Sequence, residues 1–151
     1  MDNCFFTSNS DEWCTPVDLF NKLNSEFHFT VDLCANNFNH LCDKFYSISN
    51  DGLKADLTNQ VVFCNPPYSR PLQDKFIKKC FFSGADTCVL LIPARTDKKV
   101  FHDYILPFAE IRFIKGRLHF SGSKNSAPFP SMIVIFNKFI LEKNRNLDYT
   151  G

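Results

Sequence analysis

Residues 61–68 read Val61-Val62-Phe63-Cys64-Asn65-Pro66-Pro67-Tyr68, four apolar residues followed at once by a stiff polar turn. An unbroken apolar run this short fits a parallel strand buried on both faces. The two prolines end the ladder and fix the backbone of the turn, so the direction of each carbonyl is set in advance. After the turn, the stretch 71–82 carries Phe76, Ile77 and Cys80 at helical spacing. Thr87-Cys88-Val89-Leu90-Leu91-Ile92 then forms a second buried strand. Strand, turn, helix and strand in that order make a βαβ unit.

On the N-terminal side, Thr15-Pro16 opens a helix, with Thr15 as N-cap and proline suited to the first turn. Val17, Phe20, Leu23 and Phe27 share its apolar face. Residues 29–33 read as a strand running into Cys34-Ala35-Asn36, followed by a short helix over 37–42 and a strand over 44–48. Asn50-Asp51-Gly52 is a turn. On the C-terminal side, Asp97 caps a helix to about residue 106. Strands follow at 110–114, 117–120 and 132–136, with a loop at 121–131 rich in Ser, Asn and Pro. These seven strands predict a three-layer, Rossmann-like α/β fold with a mostly parallel sheet. The last two are joined without a helix, which predicts an antiparallel C-terminal strand. At 151 residues one domain is expected, with a loose arm over 1–14 and a tail over 138–151.

Composition narrows the class. The chain is 44% apolar and 22% charged, which is globular rather than disordered. Its seven cysteines (4, 14, 34, 42, 64, 80 and 88) contain no CxxC pair and no zinc-ligand spacing, and they read as small buried apolar residues. The four histidines (28, 40, 102 and 119) share no ligand spacing either, so no metal is expected. Neither a basic leader nor an apolar run of about 18 residues occurs, so no signal peptide and no membrane partner are expected. The net charge is only +1, but it is unevenly spread. Residues 1–68 carry three bases against nine acids, net −6, and residues 69–151 carry fourteen against seven, net +7. A basic half beside an acidic half suits two different partners, with a polyanion against the cations.

The turn at 65–68 carries the chemistry. It follows a strand, at the carboxyl edge where open α/β sheets bind ligands. The Asn65 side-chain oxygen and the Pro66 carbonyl can converge on one NH2 group, with Pro67 stiffening the turn and Tyr68 offering a flat face. That suits methylation of an exocyclic amine, whose lone pair is delocalised into its ring. Two acceptors on its hydrogens favour a tetrahedral nitrogen with the lone pair free. Asn and Asp look equivalent at position 65, since both offer an acceptor oxygen. Tyr68 would stack on a base extruded from a duplex.

The turn resembles the Asn-Pro-Pro-Tyr motif of amino-methyltransferases that use S-adenosylmethionine. The ordered set of segments is more specific. Asp11-Glu12-Trp13, Thr15-Pro16, Leu19-Phe20, the stretch Phe29 to Ala35, Asp51-Gly52-Leu53, Leu91 to Asp97 and Gly116-Arg117-Leu118 with Phe120 resemble the phage-type, Dam-like DNA N6-adenine methyltransferases across residues 11–137. The resemblance implies an S-adenosylmethionine-dependent methyltransferase fold that acts on a flipped adenine in DNA. RNA or protein glutamine as substrate, or a non-catalytic partner subunit, are the alternatives. It implies that Thr15 and Pro16 lie by the methionine end of the cofactor and Trp13 on the cofactor side, with Asp32, Cys34 and Ala35 forming the bend beneath it. It puts Asp51 at the ribose, Asp56 near the cofactor adenine and Asn65 beside the donor. Plainer roles exist for several: Asp32 as a cap, Asp51 as a turn residue, Asp56 as a solvated carboxylate, Trp13 as a core anchor. Arg70, Arg95, Lys98, Arg117 and Lys124 follow the motif and are expected to face DNA phosphates. Larger enzymes of this type add a target-recognition domain, so modest specificity or a homodimer is expected here, in an intracellular setting.

Overall fold

The computed structural model describes residues 13–36, 39–47 and 52–141. The elements in chain order are α1 (Val17–Phe27), β1 (Val31–Asp32), a 3-10 turn (Gly52–Lys54), β2 (Val61–Cys64), α2 (Arg70–Phe82) and β3 (Thr87–Pro93). A π-helical turn (Phe101–Ile105) then runs into α3 (Leu106–Phe108), followed by β4 (Glu110–Phe113) and β5 (Ser131–Asn137). Pro107 has no N–H to give the preceding turn, and the wider i→i+5 bonding sits just ahead of it.

The strands form one mixed sheet in the order β1-β2-β3-β5-β4. β1/β2 and β2/β3 pair in parallel, while β3/β5 and β5/β4 pair antiparallel. The strands β1 to β4 therefore point one way and β5 returns between β3 and β4. This aligns the carboxyl ends of β1, β2 and β3 with the start of β5 on a single rim.

Alternate strand residues face opposite layers. Phe63, Val89, Leu91, Ile133 and Ile135 pack with Phe20 and Leu23 of α1 and with Phe120 and Phe129 from the loop before β5. Val62, Cys64, Leu90, Ile92, Met132 and Val134 pack with Phe76, Ile77 and Cys80 of α2 and with Phe101 and Ile105. Both faces are thus covered, which is why β3 is apolar at nearly every position.

Several sequence expectations change. The described residues carry five strands, not seven, and their four ladders are half parallel and half antiparallel. Of the stretch expected as a strand at 44–48, the described residues 44–47 contribute only an isolated bridge, Asp32 to Phe45, and Ile48 lies outside the described residues. The stretch 117–120 is loop, because its bonds turn inward: the Ala127 N–H donates to the Leu118 carbonyl at 2.8 Å, and Arg117 donates to the Ala127 carbonyl. No helix forms among the described residues of 37–42. Asn36 and Asn39 each accept the other's backbone N–H, at 2.7 and 2.9 Å, which offers the backbone an alternative to a helix. The helical stretch after β3 begins at residue 99 rather than at Asp97. Finally, Pro16 and not Thr15 is the N-cap of α1, and no side chain caps that end.

The cysteines divide. Cys64, Cys80 and Cys88 are buried free thiols, as expected of small apolar residues, and Cys34 and Cys42 are half-buried. Cys14 differs in being disulfide-bonded.

Candidate active site

Asn65 is the first residue beyond β2. Phe63 faces α1 and Cys64 faces α2, so the alternation brings the Asn65 side chain back to the α1 face. There its Nδ2 donates to the Trp13 carbonyl and, at 3.0 Å, to Thr15 Oγ1. Its Oδ1 is buried and has no partner among the described residues. The partners fix which end of the amide is which, since the opposite assignment would set two acceptor oxygens against each other at Trp13. A buried acceptor left empty costs about 1–3 kcal/mol. Among the described residues that leaves Oδ1 as an acceptor still open to a donor.

Trp13 and Tyr68, on either side of Asn65 in the turn and the arm, belong to one aromatic cluster. Trp13 lies 5.4 Å from both Phe120 and Phe129, and Tyr68 lies 5.4 Å from Phe129 and 6.2 Å from Phe120. The Tyr68 hydroxyl donates to the Leu91 carbonyl at 3.3 Å. Burial of that hydroxyl pushes its pKa well above the usual 10, although part of the ring reaches the surface. Tyr68 is therefore a fixed neutral surface rather than a proton carrier. The Arg95 guanidinium sits 6.0 Å over the Phe129 ring. Residues 13–15 are not loose: the Ser121 N–H donates to the Cys14 carbonyl at 3.0 Å and Ser121 Oγ to the Thr15 carbonyl at 3.2 Å. The rest of the expected arm, residues 1–12, lies outside the described residues.

Phe129 and Ser121 were not among the expected site residues. Phe129 stands between Pro128 and Pro130 in an otherwise polar loop. A lone aromatic held between prolines was the available signal. Ser121 left no signal, because its role is visible only once the arm and loop meet.

The end of β1 lies beside this region. Asp32 is buried and accepts hydrogen bonds from the N–H groups of Leu41 (3.0 Å) and Cys34. Burial raises its pKa to about 6, against the opposing effects of those bonds and of nearby His40. The Ala35 N–H is spent on the Tyr46 carbonyl at 2.9 Å, so Ala35 offers no free backbone donor at the bend. Asn39 Nδ2 reaches Cys14 Sγ at 3.6 Å and ties the β1 loop to the arm. Asp51 lies outside the described residues.

Asp56 is not brought to the rim. It is exposed, and the Thr58 N–H at 3.0 Å holds its carboxyl below the usual range. Its neighbours Asn59 and Gln60 bond Gly84 and Asp86, which lead into the amino end of β3. Asp56 lies on the stretch that descends from Gly52, beside Leu33, to the start of β2 at Val61, and so leads away from Asn65.

The expected phosphate contacts also divide. Lys98 pairs with Asp74 at 2.5 Å and is mostly enclosed, so its charge is already answered within the chain. Arg117 donates to the Ala127 carbonyl at 3.4 Å and is nevertheless exposed. Arg95 and Lys124 are exposed. Arg70 opens α2, and its side chain lies outside the described part. Among the described residues no group of three or more His, Cys, Asp or Glu could hold a metal ion, and no helix is long and apolar enough to cross a membrane.

A family model described as DNA N-6-adenine-methyltransferase (Dam) matches residues 5–149. A DNA N-6-adenine-methyltransferase of Escherichia phage T1 is 33% identical over 112 residues, covering 72% of this chain and 46% of that protein. Another, from Haemophilus phage HP1 (strain HP1c1), is 27% identical over 140 residues, covering 85% of this chain and 80% of that protein. The chain thus spans a little under half the length of the first relative and four fifths of the second. Among solved structures, a Pyrococcus horikoshii protein described as a candidate RNA methyltransferase aligns with a TM-score of 0.42 and 16% identity, over 81% of this chain and 57% of that one.

Proposed function

The chain belongs to the DNA N-6-adenine-methyltransferase (Dam) family, and on that premise we propose that it transfers a methyl group from S-adenosylmethionine to the exocyclic N6 of adenine in DNA. The observation that carries this reading is the buried Asn65 Oδ1, without a partner among the described residues, in a turn whose Tyr68 and neighbouring Trp13 belong to one aromatic cluster with Phe120 and Phe129. A planar base with an amino group has the donor that this acceptor lacks and the faces that the rings accept.

The residues fit a cationic methyl donor. Asp32 is a desolvated carboxylate with no Lys or Arg paired to it among the described residues, so it wants a positive charge beside it. In this reading Asp32, Cys34 and Pro16 hold the donor, Trp13 shields it and Asp51 binds its ribose. When bound, S-adenosylmethionine supplies a methyl group on an electrophilic sulfonium.

The protein's own part is positioning and electrostatics. Asn65 Oδ1 accepts one N6 hydrogen and the Pro66 carbonyl the other, which draws the nitrogen lone pair out of conjugation with the ring. Pro67 keeps the turn from relaxing. Tyr68, held through its hydroxyl, offers its ring to the extruded base. Arg70, Arg95 and Lys124 take phosphates. The unit works as a single catalytic domain, as a homodimer or with modest sequence specificity.

The test is transfer of labelled methyl from S-adenosylmethionine to duplex DNA, with RNA and protein extract as parallel substrates. We expect incorporation into DNA that Asn65→Ala lowers at least a hundredfold, in line with the loss of one preorganised partner of the reacting group. Equal incorporation by Asn65→Ala, or preference for RNA or protein, would overturn the reading.

A further inference from the structure

Building on the adenine-methylation reading, we propose that Thr15 is a positioning residue for Asn65, and that Thr15 and the Trp13 carbonyl together make asparagine, not aspartate, the side chain that position 65 requires. A primary amide has two N–H groups. Both are taken, one by the Trp13 carbonyl and one by Thr15 Oγ1 at 3.0 Å. With both hydrogens held the amide cannot rotate, and Oδ1 is left without a partner among the described residues. Donation from both N–H groups also polarises the amide toward its oxygen, which strengthens Oδ1 as an acceptor.

Thr15 is buried, and its hydroxyl does not serve α1, whose N-cap is Pro16. Ser121 Oγ fixes the Thr15 carbonyl from the far side. The threonine is thus oriented by the 118–129 loop and spends its hydroxyl on Asn65.

This separates two side chains that look equivalent by acceptor count. A carboxylate at position 65 would set one oxygen against the Trp13 carbonyl, lone pair to lone pair, in a buried place. Thr15 can turn its hydroxyl to donate, but a backbone carbonyl cannot. Only the protonated acid fits, with its O–H given to Trp13 and its other oxygen facing the substrate. Asn65→Asp therefore gains activity as the pH falls. Titratable groups on the surrounding elements are Asp18, Lys22 and Glu26 on α1, Asp32 on β1, Cys64 on β2, Tyr68 after it, Arg95 beyond β3, and Lys115, Arg117, His119 and Lys124 in the loop before β5. All are common to wild type and variant, so the ratio of their pH profiles isolates position 65.

The experiment measures methyl transfer and cofactor affinity for wild type, Thr15→Val, Thr15→Ser and Asn65→Asp between pH 5.5 and 9. Thr15→Val is expected to lose about tenfold or more in kcat, with affinity for S-adenosylmethionine within about threefold. Thr15→Ser should recover most of that rate. The Asn65→Asp rate, relative to wild type, should rise about tenfold per pH unit as the pH falls. A Thr15→Val loss confined to cofactor affinity, or an Asn65→Asp profile parallel to wild type, overturns the proposal. Exchange of the Asn65 side-chain amide protons, followed by NMR, reads the positioning without activity. Slow exchange in wild type that becomes fast in Thr15→Ser-rescuable fashion in Thr15→Val supports it, and fast exchange in wild type overturns it. An inactive wild type with slow exchange would instead count against the methylation reading alone.

Discussion

Asp32 is a buried carboxyl at the end of β1, beside which the proposed cationic donor would sit. Its folded pKa, about 6, lies above the ordinary 3.8, and desolvation is the cause. The sign follows from which state holds the proton. Below pH 3.8 both folded and unfolded chains are protonated there and Asp32 costs nothing. Between pH 3.8 and 6 the unfolded chain ionises while the folded chain keeps its proton, so about 3 kcal/mol of stability is lost across that window and the loss is complete once the pH has passed 6. A cation beside Asp32 would return part of that loss, but only where the carboxylate is ionised. We therefore predict that S-adenosylmethionine raises the melting temperature more at pH 7.5 than at pH 5. Equal shifts at the two pH values would detach Asp32 from the donor. Asn65 and Tyr68 were legible from sequence because proline-rich punctuation after an apolar run leaves little freedom in where they sit. Asp56 was not, because a carboxylate in a loop carries no mark of which edge of the sheet the loop visits.

At the scale of elements, the site depends on segments that are barely regular. The 3-10 turn beginning at Gly52 passes so close to β1 that a Cβ there would stand 2.8 Å from the Leu33 carbonyl. Gly52→Ala must push that carbonyl, one residue beyond Asp32, and should cost about 1–3 kcal/mol. Urea denaturation measures this, and unchanged stability would mean that the approach is loose. The same scale explains what the sequence could and could not tell. β2, α2 and β3 were read within a residue or two because each is long enough, or apolar enough, for its period to register. The stretches 44–48 and 117–120 looked like strands by composition, yet their hydrogen bonds go to a single bridge and to Ala127. Propensity cannot see which partner a backbone group will find. The same limit hid the aromatic enclosure, where Trp13, Phe120 and Phe129 meet from places 107 to 116 residues apart in number.

For the whole molecule, the uneven charge is the feature to test. The division into −6 and +7 falls at Tyr68, the end of the Asn-Pro-Pro-Tyr turn. Folding answers some of the basic half internally, through Lys98 with Asp74 and Arg112 with Glu26. What faces outward includes Arg95 and Lys124. We predict that Arg95→Ala weakens DNA binding and lowers the slope of log affinity against log salt by about one, whereas Lys98→Ala leaves the slope unchanged. Fluorescence anisotropy over a salt series measures both, and the reverse ranking would relocate the DNA face. The account as a whole turns on one nitrogen held by one amide oxygen. Duplex DNA treated with the protein and isotope-labelled S-adenosylmethionine can be digested to nucleosides and weighed by mass spectrometry. The account predicts label in N6-methyladenine, lost with Asn65→Ala; label in cytosine, or none in any nucleoside, would contradict it.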